Sequence, residues 1–373
     1  MKLNTKYLLL IIYFFFLNFA SFSQTENPKN TIPEKAALWS FGVNTFAAGI
    51  IGYNEYVPGF WFPNAYAITI YASLQTFGKR EWEQIYNFPR INFIASYYNF
   101  GTQRELGTAY GLTANFDYTL AKKGKTGFYG SAGIGFAYSE KVFDFFENPV
   151  NTAVSNPVSF SPRFGFRLEQ QLSAKWSGNA YFNFTHFSNG SFVMPNDGLN
   201  FFLFGLGLKY QPNISEINYQ SKKGFDFNKK WKFSFAISGG MKEVIVAEKT
   251  KHSVFTAAFT SSKQVSRFNS VLLGVDFFYN NSIPKEFVAN TLPQPTEIKK
   301  QQVGITTGTE LHIGKFSFLA QAGLYVYQPH KFYPRFYQRY GIRYYFGKFF
   351  INTTVKANGT KPDFVEYGIG FRI

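Results

Sequence analysis

Residues Arg335-Phe336-Tyr337-Gln338-Arg339-Tyr340-Gly341-Ile342-Arg343-Tyr344-Tyr345-Phe346 decide the fold class. Charge falls on Arg335, Arg339 and Arg343; apolar or aromatic side chains fall on Phe336, Tyr340, Ile342, Tyr344 and Phe346. A period of two belongs to a β-strand, whose side chains alternate between two faces. The stretch from Arg163 repeats the pattern, with Arg163, Arg167 and Glu169 on one face and Phe164, Phe166 and Leu168 on the other. A charged face backed by an aromatic one suits a strand between a polar lumen and hydrocarbon. A strand of a soluble sandwich also alternates, so the choice rests on the remainder of the chain.

Composition makes that choice. Charged residues are only 16 %, aromatics reach 21 %, and the chain holds 48 Phe and 25 Tyr, yet the mean hydropathy is −0.16. A soluble globule so poor in charge would expose large apolar patches. A barrel in lipid pairs every backbone group between strands, and its mean hydropathy stays low because every second residue faces inward. The N-terminus supplies export. Lys2 and Lys6 precede an apolar run from Tyr7 to Leu17, and Ser21 and Ser23 mark a cleavage site before Gln24, so 1–23 reads as a signal peptide. The run falls short of the roughly 20 apolar residues that span a bilayer as a helix. The absence of cysteine excludes a thiol-linked lipid anchor, disulfides and thiolate chemistry. His186, His252, His312 and His330 show no ligand spacing, so neither metal nor cofactor is expected. The net charge of +16 fits either a basic aqueous face or attraction to lipopolysaccharide phosphates. No segment concentrates it, which argues against nucleic acid.

Alternation predicts strands near 38–48, 65–77, 90–100, 106–120, 127–139, 158–171, 174–188, 199–211, 230–240, 253–261, 267–280, 302–313, 315–327, 334–346, 348–358 and 364–373. Tight turns such as Gly314-Lys315 and Gly347-Lys348 alternate with long connections such as 140–157 and 281–301, as in barrels with short periplasmic turns and longer outer loops. The polar stretch after Gln211 reads as a link. The chain thus divides into a signal peptide (1–23), a first half (24–211), a link (212–229) and a second half (230–373). The halves look duplicated. Ala132-Gly133-Ile134-Gly135-Phe136-Ala137-Tyr138 is echoed by Ala322-Gly323-Leu324-Tyr325-Val326-Tyr327, and Arg163-Phe164-Gly165-Phe166-Arg167 by Arg339-Tyr340-Gly341-Ile342-Arg343. Asn189-Gly190 is echoed by Asn358-Gly359, and Gly205-Leu206-Gly207-Leu208-Lys209 by Gly368-Ile369-Gly370-Phe371-Arg372, in the same order. The expectation is an all-β, antiparallel transmembrane barrel. It is either one barrel of about 14–16 strands or two eight-stranded units in tandem, and the single larger barrel is preferred.

One segment carries candidate chemistry: Thr185-His186-Phe187-Ser188-Asn189-Gly190, followed by Met194-Pro195-Asn196-Asp197-Gly198-Leu199-Asn200. His186 and Ser188 share the parity of Trp176, Gly178, Ala180, Phe182 and Phe184, the apolar stripe. Asn200 opens the matching stripe of Phe202, Phe204, Leu206 and Leu208. Polar groups ending a lipid-facing stripe mark either the interfacial rim or chemistry. A Ser-His pair is the minimal apparatus for acyl transfer, the histidine taking the hydroxyl proton as the oxygen attacks an ester carbonyl. Either Asn189 itself or the Asn189 and Gly190 amides would then hold the oxyanion. Phe182, Phe184 and Phe202 then form the acyl-chain contact. A His and a Ser two residues apart are by themselves a weak signal.

The order His-aromatic-Ser-Asn-Gly, then Pro-Asn-x-Gly-hydrophobic, then a closing strand resembles the PagL-type lipid A 3-O-deacylase family. Asn148-Pro149 through Asn151 to Asn156 is similar to an outer loop of acyloxyacyl hydrolase-like chains. The resemblance covers 24–211. It implies an outer-membrane barrel of a Gram-negative bacterium that hydrolyses an ester-linked acyl chain of lipid A, with lipopolysaccharide and outer-membrane lipid as partners. It further implies His186 as general base, Ser188 as nucleophile and Asn189 as oxyanion donor. The family carries a glutamate beside the histidine where this chain has Asn200, and Asp197 is the alternative acid nearby. In the second half Val355 and Ala357 replace the His and Ser, so that copy is expected to be chemically silent. Two other readings stay open. One is a non-enzymatic barrel, structural or a narrow channel, with Arg163, Arg167, Arg339 and Arg343 in its lumen. The other is an esterase acting on phospholipid.

Overall fold

The computed structural model describes residues 39–52, 60–61, 64–213, 219–220, 224, 226–330 and 332–373. The expected signal peptide and much of the link lie outside the described residues. The chain divides into two compact units, one of residues up to 189 with 197–223, the other of 190–196 with 224–373.

The first unit contains β1 (Trp39–Ile51), β2 (Phe60–Trp61), β3 (Tyr66–Gln75), α1 (Glu81–Ile85), β4 (Arg90–Asn99), β5 (Thr108–Lys123), β6 (Thr126–Ser139), β7 (Val158–Phe160), β8 (Arg163–Gln171), β9 (Trp176–Phe187) and β10 (Leu199–Tyr210). Its long strands follow the order β1-β3-β4-β5-β6-β8-β9-β10, with the short β2 and β7 as side pieces. β10 then pairs back onto β1, from Phe41↔Tyr210 to Ile51↔Asn200. The second unit contains β11 (Trp231–Lys242), β12 (His252–Gln264), β13 (Asn269–Asn280), α2 (Ile283–Ala289), β14 (Gln301–Ile313), β15 (Phe316–Tyr327), β16 (Phe336–Phe346), β17 (Phe349–Asn358) and β18 (Lys361–Arg372). These strands form a closed barrel in chain order, sealed from Ser234↔Arg372 to Met241↔Val365.

The preference for one larger barrel is therefore corrected: the chain forms two closed barrels of eight long strands each. Closure at eight leaves no sheet edge, and an unpaired edge in hydrocarbon costs several kcal/mol per backbone group. The predicted strands are all present. The interval 158–171 is split at Ser161-Pro162 into β7 and β8, because proline has no amide hydrogen to give the ladder. The short helices α1 and α2 sit in connections that the alternation could not resolve. The echoed segments fall on strands of equal rank in the two barrels: the fifth (β6 and β15), the sixth (β8 and β16) and the eighth (β10 and β18).

Side chains sort as the alternation requires. Val43, Ile70, Leu112 and Phe136 are exposed on the first barrel, and Phe235, Leu273, Val275 and Ile369 on the second. Charge turns inward and pairs. In the first lumen Glu169 meets Arg90 at 2.7 Å, Lys209 at 2.6 Å and Arg167 at 3.3 Å, while Arg167 also meets Asp117 at 3.0 Å. In the second, Arg339 joins Asp276 (2.8 Å) and Glu366, Arg343 joins Glu310 (3.4 Å), and Lys356 joins Asp363 (2.6 Å). α2 carries Glu286 to within 3.0 Å of Lys242, and Tyr333 donates to the same carboxylate. Burial, and then the charge of Asp363, hold the Tyr333 hydroxyl well above the ordinary tyrosine range. The four lumenal arginines predicted from parity are buried.

Candidate active site

The outward face of β9 and β10 is an aromatic ladder. Phe182 and Phe202 stack with centroids 5.5 Å apart, Phe184 meets Phe202 at 5.5 Å, and Phe182 meets Phe204 at 5.1 Å. At the end of this ladder His186 and Asn200 are direct cross-strand partners, with His186 Nδ1 2.7 Å from Asn200 Oδ1. A carbonyl oxygen only accepts, so Nδ1 carries the proton and Nε2 presents its lone pair. That is the tautomer a general base requires.

Ser188 lies two residues on, past the end of β9. Its N–H donates to Phe160 O (3.2 Å), and Phe160 N–H donates to Ser188 O (2.8 Å), an isolated bridge between the two residues. The His186 N–H donates to Pro162 O at 3.1 Å. The break at Ser161-Pro162 thus serves the motif, because β7 turns aside to grip Ser188 while Pro162 accepts from His186.

The connection from β6 to β7 clamps the rest of the motif. Thr152 Oγ1 donates to Asp197 Oδ2 (2.6 Å), Asp197 N–H donates to Thr152 O (3.0 Å), and Gly198 N–H donates to Ala153 O (3.2 Å). Asn189 Nδ2 donates to Ser155 Oγ at 3.1 Å. Asn148 and Asn151 brace this connection from within, donating to Val142 O (3.0 Å) and Lys141 O (3.2 Å). Of the two groups considered to orient the imidazole, Asn200 is the one in hydrogen-bond contact, while Asp197 is engaged by Thr152.

Gly198 is a further participant that spacing alone did not single out. Its φ is +78°, and a Cβ there would lie 2.5 Å from His186 Cε1. Glycine is therefore required twice, for the left-handed backbone and for the room it leaves the ring. Farther along the β10 stripe, an apolar crevice of about 590 Å³ opens between β1 and β10, lined by Ala47, Tyr66, Phe204 and Leu206. Gly205 lets the buried Phe46 ring pack against β10, since a Cβ there would meet Phe46 Cδ1 at 2.2 Å.

The second barrel differs at the same place. Where His186 faces Asn200 across β9 and β10, Val355 faces Val365 across β17 and β18. Among the described residues, no group of three or more His, Asp or Glu side chains is placed to hold a metal ion.

Two family profiles match the chain: lipid A 3-O-deacylase (PagL) over residues 67–209, and the C-terminal domain of acyloxyacyl hydrolase over residues 231–373. No curated protein matches it. Among solved structures, Neisserial surface protein A (NspA) is 10 % identical and aligns over 46 % of this chain and 96 % of its own, with a TM-score of 0.33. The outer membrane enzyme PagL is 14 % identical over 45 % of this chain and 97 % of its own, with a TM-score of 0.27. A mutant porin of Rh. blastica is 10 % identical over 90 % of this chain and 99 % of its own, with a TM-score of 0.19. With one barrel matched by the deacylase profile and the other by its companion C-terminal domain, the chain belongs to the lipid A 3-O-deacylase (PagL) family.

Proposed function

We propose that the chain is an outer-membrane serine esterase that removes an ester-linked acyl chain from lipid A, with one active site on the wall of the first barrel. The observation that carries this reading is the 2.7 Å contact between His186 Nδ1 and Asn200 Oδ1 at the end of a lipid-facing aromatic stripe. A polar pair in that position is costly unless it has a task.

In this reading Ser188 Oγ attacks the ester carbonyl while His186 Nε2 takes its proton. Asn189 and the Gly190 N–H hold the oxyanion of the tetrahedral intermediate. The intermediate collapses, the sugar hydroxyl leaves with the proton from His186, and the acyl group remains on Ser188. Water, deprotonated by the same histidine, then releases the fatty acid. The acyl chain lies along Phe182, Phe184 and Phe202 toward the crevice beside Phe204 and Leu206. The excess of basic residues draws the phosphates of lipopolysaccharide to the barrel.

The test is mass spectrometry of lipid A from cells producing the wild type, Ser188→Ala or His186→Ala. The wild type is expected to lose one ester-linked acyl chain and both variants to leave lipid A intact. Lipid A unchanged by all three, with phospholipid hydrolysed instead, would replace the substrate. No hydrolysis of either lipid would leave the non-enzymatic barrel as the better reading.

A further inference from the structure

The second barrel contains a feature that acyl transfer does not use. At the end bearing the tight turns Gly314-Lys315 and Gly347-Lys348, its lumen widens into a polar cavity of about 170 Å³. The lining includes Lys232, Arg372, Ser270, His312, Glu310 and Tyr345. At about 30 Å³ per water molecule, this is room for a tetrahedral oxyanion with one or two waters.

The charges in this cavity do not cancel. Glu310 is already engaged, accepting from Tyr345 Oη at 2.7 Å and from Ser317, and pairing with Arg343 at 3.4 Å. Arg372 stacks on the Tyr345 ring, its guanidinium carbon 4.3 Å from the centroid, which fixes the fork and leaves its N–H edge for a ligand. Among the described residues, neither Lys232 nor Arg372 is paired with a carboxylate. Two cations therefore share the cavity with Glu310, whose charge Arg343 already matches, so its positive charge is in excess.

Ser270 supplies a switchable donor. Its Oγ lies 2.8 Å from His312 Nε2. When Nε2–H donates to Oγ, the serine proton turns into the cavity; in the other tautomer it is spent on the imidazole. An anion in the cavity selects the first arrangement. We infer that this cavity binds a small oxyanion of the phosphate class, held by Lys232 and Arg372 and capped by the Ser270 hydroxyl. A phosphate that comes with acyl chains is excluded by position, because the cavity lies inside the barrel wall. The ligand is therefore a free phosphate or the phosphate of a small soluble monoester.

Titration calorimetry of the full chain folded in detergent tests this, using inorganic phosphate, glycerol phosphate and acetate as probes. Saturable binding of either phosphate, with acetate at least tenfold weaker, is expected, and the ratio of the two phosphates identifies the source. Arg372→Gln and Lys232→Gln should each weaken binding at least tenfold, and Ser270→Ala several-fold. Electrophoretic heat-modifiability of each variant verifies the fold. If Arg372→Gln does not fold, Lys232→Gln, at the cavity rim, still decides. Failure of both phosphates to bind, or equal binding by wild type and every folded variant, overturns the inference. It does not depend on lipid A hydrolysis, which the same preparation reports separately.

Discussion

The proposed chemistry narrows to one atom pair, His186 Nδ1 and Asn200 Oδ1. An amide sets the tautomer but adds no charge opposite the imidazolium that forms as the serine proton moves. A hydrogen bond to a charged partner is worth about 1–2 kcal/mol more than a neutral one, so the isosteric Asn200→Asp should raise the deacylation rate about tenfold. Asn200→Ala, which removes the orienting acceptor, should lower it by about a hundredfold or more. A rate unchanged by both would show that Asn200 does not act on His186. Gly198→Ala would press a methyl group against the imidazole; a displacement of about 1 Å at a reacting group costs about a hundredfold in rate, on top of a stability loss of about 1–2 kcal/mol from the left-handed backbone. The pairing of His186 with Asn200 was legible in the sequence because strand parity puts both on the outward stripe; the role of Ser188 rests on the resemblance. Phe160, Pro162 and Thr152 were not, because they act through backbone groups or from another connection, and neither leaves a side-chain pattern.

At the level of strands, the period-two signal marked where each strand runs but not the break at Pro162, because 158–171 keeps its alternation and reads as one strand. It could not reveal which strands meet, since the partner of β1 lies at Leu199–Tyr210 and alternation carries no pairing information. Nor could it find α1 and α2, of 5 and 7 residues, too short to display a helical period. The inward charges make a sharper prediction. Glu169 on β8 gathers Arg90 from β4, Arg167 from its own strand and Lys209 from β10. Removing the shared partner leaves Arg90 and Lys209 without a carboxylate and Arg167 with Asp117 alone. Glu169→Ala should cost about 3–5 kcal/mol, seen as a lower temperature for the gel-mobility shift of the folded barrel. Leu168→Ala, exposed on the outer face, should shift it far less.

For the whole molecule, closure of each sheet on itself means that each barrel satisfies its own backbone. Residues 230–373 produced alone should refold in detergent to a heat-modifiable barrel with no esterase activity; a fragment that stays unfolded would show that closure needs the first half. Apart from the cavity beside Arg372 at one end of the second barrel, both lumens are filled by side chains, as expected for eight strands, and by paired charge. Planar bilayers containing the chain should therefore show no steady conductance, against the channel reading. The outward placement of His186 and Asn200 has one more consequence. An enzyme that works from its wall meets substrate by lateral diffusion, so the concentration that governs its rate is a mole fraction in the surface. Adding inert detergent at constant total lipid A should slow hydrolysis in proportion to surface dilution, whereas a site opening to bulk water would be indifferent to it.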